Sequence, residues 1–102
     1  MDIQLKRGLL DVAVLATARD GETYGYKIIK DLAPDLVLTE STLYTILKRL
    51  EGGGLLTARS CEHNGRIRKY YRITDAGLAR IEEFKADWQE MLAIHRLVIR
   101  ED

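Results

Sequence analysis

The chain has 102 residues, which suits a single domain. Hydrophobic residues make up 46% and formal net charge is zero, so a modest core is expected and nucleic acid is neither favoured nor excluded by total charge. Charge is unevenly placed: residues 1–73 hold twelve Lys/Arg against nine Asp/Glu, and residues 74–102 hold four against seven. The lone Cys61 excludes an internal disulfide. Asp2, Lys6, Arg7 and Asp11 interrupt any early apolar run, and no stretch approaches the roughly 18 apolar residues of a membrane helix. A soluble, cytoplasmic protein is the expectation.

The spacing of Leu5, Leu9, Val12, Ala13 and Ala16 predicts a first helix over residues 3–18, widened by Leu10 and Leu15 and stopped by Asp20-Gly21. Gly8, a poor helix residue, hints at close packing there. A second helix is predicted over residues 24–33, capped by Thr23, with Ile28, Ile29 and Leu32 towards the core; Pro34 ends it. Thr39 is placed to cap a third helix that Gly52-Gly53-Gly54 terminates. This third helix has two faces. Leu43, Ile46, Leu47 and Leu50 form an apolar stripe, while Ser41, Thr42, Tyr44, Thr45 and Lys48 form a hydroxyl-rich face suited to a DNA groove.

Residues 55–62 and 68–73 read as two strands joined at Asn64-Gly65, a strong hairpin signal. Residues 59–72 carry Arg59, Arg66, Arg68, Lys69 and Arg72 against one acid, Glu62. Tyr70 and Tyr71 point to opposite faces, and Tyr71 is assigned to the core. Thr74 caps a last helix from Asp75 to about Ile99. Its residues Ile81, Phe84, Trp88, Met91, His95 and Val98 form a heptad seam too long for so small a domain to cover, so a second copy is expected against it.

Helix, helix, helix, hairpin, long helix predicts a mainly α fold with a small β-hairpin (α+β). It would be a winged helix-turn-helix over residues 1–73 with a C-terminal dimerisation helix over residues 74–102. Candidate DNA contacts are Ser41, Thr42, Tyr44, Thr45 and Lys48 on the third helix, Arg66, Arg68 and Lys69 on the wing, and Tyr24 and Lys27 on the second helix. Double-stranded DNA and a second copy of the chain are the expected partners. No cofactor, metal or enzyme activity is expected. Gly52-Gly53-Gly54 lacks the residues of a phosphate loop, and one cysteine with two histidines falls short of a structural zinc site. Two other readings fit the same residues: a winged-helix module for protein interaction, and a DNA-binding regulator without a small-molecule pocket.

Several motifs together resemble the PadR family of bacterial transcriptional regulators. They are Tyr24-Gly25-Tyr26, Thr42-Leu43-Tyr44, Leu47-Lys48-Arg49-Leu50-Glu51, Gly54-Leu55, and the run from Arg68 through Tyr70, Tyr71 and Thr74 to Gly77. The single C-terminal helix resembles the small-domain subgroup typified by a multidrug-responsive repressor. The resemblance implies a dimer that binds operator DNA near promoters and releases it, or changes shape, when a ligand binds. Trp88 follows Gly77 by eleven positions, the subgroup's spacing for a tryptophan that sandwiches planar aromatic ligands in a pore between protomers. Carried over by position, the pore would be lined by Leu5, Gly8, Asp11, Val12, Lys85, Trp88 and Leu92, with Ile81, Phe84 and Met91 beside them. Asp11 there would favour cationic ligands. Phe84 and Lys85 invert the small-then-aromatic order of the subgroup, which alters the implied pocket.

Overall fold

The computed structural model describes residues 1–100. Its elements are α1 (Ile3–Thr17), β1 (Thr23–Tyr24), α2 (Gly25–Leu32), α3 (Glu40–Gly52), β2 (Leu56–His63), β3 (Arg66–Ile73) and α4 (Asp75–Val98). The strands form one antiparallel sheet in the order β1-β3-β2. This is the expected mainly α architecture with a winged hairpin and a long last helix. The last two residues of the segment 74–102 lie outside the described residues. Among the described residues no helix is long and apolar enough to cross a membrane.

The core forms where the helical stripes converge. Leu43, Ile46, Leu47 and Leu50 of α3 are all buried, against Ile28 and Leu32 of α2, Val14 and Leu15 of α1, Leu56 of β2 and Tyr71 of β3. Burying such side chains contributes roughly 1.5–3 kcal/mol each, which is what holds α3 in place. The caps on α3 and α4 are as expected: Thr39 Oγ accepts from the Thr42 N–H at 3.1 Å, and Thr74 Oγ from the Gly77 N–H at 3.1 Å.

Three expectations need correction. Thr23 does not cap α2. Thr23 and Tyr24 form a two-residue strand that pairs with Tyr71 and Tyr70, and α2 begins at Gly25. So short a strand has no alternation for a sequence pattern to reveal. The second wing strand begins at Arg66, because the two-residue Asn64-Gly65 turn lets His63 pair directly with Arg66. Both turn residues have positive φ, 52° and 78°, as a twist-matched hairpin turn requires. Third, of the stripe expected on α1 only Val12 and Leu15 are buried, joined by Val14 and by Ala18 just past the helix end, whereas Leu5 stands exposed and Gly8 has open space around it. The helix is apolar on two sides, and only one faces this chain's own core.

The molecule is long, 64 × 26 × 21 Å, with a radius of gyration of 15.8 Å against about 13 Å for a compact chain of this length. The excess comes from α4. Its first two turns pack into the domain through Gly77 and Ile81. Beyond them Trp88, Ile94, Leu97 and Val98 are exposed.

Candidate nucleic-acid interface

The hydroxyl face of α3 stands in solvent because its opposite stripe fills the core. Ser41, Thr42, Tyr44, Thr45 and Lys48 are all exposed. The hydroxyls are already ordered. Thr39 Oγ donates to Thr42 Oγ at 2.9 Å, and Thr45 Oγ donates to the Ser41 carbonyl at 3.0 Å. Tyr44 lies across the start of α2. A Cβ built on Gly25 would sit 3.0 Å from the Tyr44 hydroxyl, so this glycine makes room for the ring.

Tyr44 also forms one wall of a groove of about 460 Å³ between the helices and the wing. Tyr24 and Tyr26 extend that wall, and Asn64, Arg66, Arg68 and Lys69 form the facing one. Candidate residues from β1 (Tyr24), α3 (Tyr44) and the hairpin (Arg66, Arg68 and Lys69), separated in sequence, therefore line one concave surface. Lys27 lies apart from it, in an i,i+4 pair with Asp31 at 2.8 Å that raises its pKa.

The wing cations are not equivalent. Arg68 is held by aromatic rings: its guanidinium lies 4.3 Å from the Tyr24 centroid, and it donates to the Tyr70 hydroxyl at 3.4 Å. Tyr24 and Tyr70 meet edge to face at 5.7 Å, and Arg59 covers Tyr70 at 4.9 Å. Arg59 in turn forms a two-pronged pair with Glu22, at 2.7 and 2.8 Å. That hydrogen bond, with Arg59 and the more distant Arg72 charge, holds the Glu22 carboxyl below its ordinary range. Lys69 reaches Glu51 at 3.1 Å, which raises its pKa. An exposed pair of this kind contributes at most about 1 kcal/mol, so an incoming phosphate can replace it at little expense. Arg66 and Lys48 make no ion pair among the described residues.

Tyr26 was absent from the expected site. It is exposed at the groove edge, and its position off the Ile28–Ile29–Leu32 stripe was a usable signal. Lys6 and Arg7 were also missed. They lie across a second groove from Ser41, Thr42 and Thr45.

The residues expected around a pore are distributed differently. Trp88 is 43% exposed, with its ring stacked on Phe84 at 6.2 Å. Lys85 pairs with Glu82 at 2.9 Å, and Met91 and Leu92 are half-buried. His95 and Val98 lie exposed further along α4. Two positions are already covered within the chain. Ile81, expected against a partner, is 4% exposed in the chain's own core, and Val12 is 5% exposed. The seam begins inside the domain because the first turns of α4 pack onto it. Asp11 is not a free acid: both its oxygens accept from Arg49 of α3, one from Nε at 3.2 Å and the other from Nη2. Its charge is neutralised there, which removes the reason to expect a preference for cations. Among the described residues, no group of three His, Cys, Asp or Glu side chains is placed to hold a metal ion.

A hydroxyl-faced helix beside a cationic hairpin, on a three-helix core, defines a winged helix-turn-helix DNA-binding protein. Comparison with known proteins narrows the class. Residues 14–83 match the transcriptional regulator PadR-like family. A transcriptional regulator of Mycobacterium tuberculosis, Rv3488, is 32% identical over 89 residues, covering 86% of this chain and 83% of that protein. The crystal structure of a PadR family transcriptional regulator from Eggerthella lenta superposes with a TM-score of 0.84 at 35% identity, covering 97% of this chain and 89% of that one. Bacillus subtilis PadR, solved in complex with operator DNA, matches with a TM-score of 0.67 at 25% identity, covering 92% of this chain and 49% of that one. The chain belongs to the PadR-like family of transcriptional regulators, and its members are regulators of transcription, not enzymes.

Proposed function

We propose that this regulator is a homodimeric repressor that reads a pseudo-palindromic operator through two copies of α3. The observation that carries the reading is the groove that joins Tyr44 of α3 to Arg66, Arg68 and Lys69 of the wing. Ser41, Thr42 and Thr45 would face base edges, while the wing cations, Lys48 and Tyr24 would bind phosphates. Trp88 and Val98 are exposed on one side of α4, with half-buried Met91 between them, and support pairing with a second copy, because an apolar helix face left uncovered marks an interaction surface. The recognition helices would then lie about one DNA turn, ~34 Å, apart.

Release by a planar aromatic ligand is part of the same proposal. Trp88 and Phe84 already present a stacked aromatic pair on the face that a second α4 would meet. Binding to a duplex from the chain's own promoter, followed by fluorescence anisotropy at low and high salt, tests the core of the reading. Tight binding that weakens steeply with salt is expected. The absence of binding at low salt refutes it. Titration with a flat aromatic dye tests the ligand step, because Trp88 is the only tryptophan. Unchanged emission up to the solubility limit removes that step and leaves DNA binding standing.

A further inference from the structure

We propose that the groove between α1 and α3 is a second phosphate-binding subsite of the DNA interface, held by Lys6 and Arg7. The proposal rests on the DNA-binding reading above and adds residues that neither the family motifs nor the wing supply. The groove encloses about 270 Å³. Lys6 and Arg7 on α1 form one wall, Ser41, Thr42 and Thr45 on α3 the other, and Arg49 is also part of its lining.

Three features favour a polyanion here. First, the hydroxyl wall is the same exposed face of α3 that would meet the DNA, so a backbone strand following that face passes the groove. Second, the charge is one-sided. Asp11, the acid that reaches Arg49, is bound to it through both oxygens. Lys6 and Arg7 make no ion pair among the described residues, leaving two exposed cations. Third, the wing lies on the other side of α3, across Tyr44. The recognition helix is thus flanked by cations on both sides, and phosphates to either side of one major-groove segment can be held at once. Contacts of this kind fix register and orientation without reading sequence.

The test uses a mixed-sequence duplex of about 30 base pairs, so no operator need be known, and reads the dependence of affinity on salt. Each phosphate contact contributes about 0.9 to the slope of log affinity against log salt. The double variant K6Q/R7Q is expected to bind with a slope shallower by ~1.8 per protomer, and the charge-conserving K6R/R7K to keep the original slope. R66Q serves as the wing control and should lower the slope independently. If R66Q lowers the slope while K6Q/R7Q leaves it unchanged, the subsite is refuted and the DNA reading survives. Sedimentation excludes the other role these residues have available: if K6Q/R7Q changes the oligomeric state and K6R/R7K does too, they are partner contacts and the proposal falls. If the unaltered chain does not bind duplex at low salt, the DNA reading and this subsite fail together. Circular dichroism melting of both double variants confirms that they are folded.

Discussion

Gly77→Ala tests how tightly the last helix is fitted to the recognition domain. Gly77 is the third residue of α4 and is buried. A Cβ added there would lie 2.4 Å from the Leu55 carbonyl oxygen and 2.6 Å from Ile73 Cγ1. Ile73 can shift its side chain. The Leu55 oxygen cannot, because it is backbone and already accepts the Thr74 N–H at 3.1 Å. The helix must therefore move off the base of the wing. Overpacking of this kind costs about 1–3 kcal/mol, against a helix-propensity gain of roughly 1 kcal/mol for removing a glycine. With a backbone oxygen only 2.4 Å away the cost falls at the upper end, and the net loss of about 2 kcal/mol would lower the melting temperature by roughly 8–16 °C in a domain of this size. Gly8→Ala is the matched control: its added Cβ meets nothing within 4 Å, so only the propensity gain should remain. Thermal melting by circular dichroism at fixed protein concentration reads both. If Gly77→Ala melts with or above the unaltered chain, the close approach to Leu55 is not a constraint and the argument fails.

Three further outcomes are expected. Thr39→Ala removes the acceptor of the Thr42 N–H and should cost about 1 kcal/mol in urea unfolding, with Thr39→Ser recovering most of it; equal midpoints for all three chains would refute the capping role. Glu22 titrates below its usual 4.5 because of Arg59, so its contribution to stability is present above that value and is lost as pH falls through the lower, folded-state pKa. Glu22→Gln should therefore melt with a shallower acid dependence than the unaltered chain, and parallel profiles would show that the pair adds nothing. Tyr24→Ala takes away the ring under Arg68, worth about 0.5–1 kcal/mol at an exposed site, and should speed amide exchange in β3 without altering exchange in α4; uniform acceleration would indicate general destabilisation instead.

The elements that could be read from the sequence are those with repeated, redundant signals. The α3 stripe states its period three times over, Thr39 and Thr74 are caps of the preferred type, and Asn64-Gly65 dictates a two-residue turn. The α1 face was misjudged for a physical reason: with apolar residues on two sides, periodicity alone does not say which side the chain keeps for itself. Leu5 and Leu15 look alike in sequence, but only Leu15 meets α3 and α2. β1 was invisible because it exists only through its partner, β3. In the candidate interface, residue type identified Arg66, Arg68 and Lys69, but not that Arg68 would be pinned by Tyr24 while Arg66 stays free. Lys6 and Arg7 carried no local signal at all, since their place beside Ser41 depends on how α1 crosses α3.

That crossing also determines how α3 is held. The last turn of α3 is tied to both helices that would flank a ligand. On one side Arg49 is bound by Asp11 of α1. On the other, the Leu55 N–H donates to the Leu50 carbonyl at 2.9 Å, while Thr74, the cap of α4, donates through Oγ to the Gly54 carbonyl at 2.7 Å. A change in the separation of α1 and α4 must therefore disturb one of these attachments, and α3 follows the helix whose attachment holds. An effector of the kind proposed above would need no long chain of contacts, only different affinity for two spacings of α1 and α4. Asp11→Asn separates this from a purely steric ligand effect. It weakens the α1 attachment while leaving the α4 attachment and the groove by the wing intact. If a dye that quenches Trp88 displaces DNA from the unaltered chain, it should displace DNA less completely from Asp11→Asn at equal dye occupancy. Equal displacement would show that the Arg49 attachment carries none of the response.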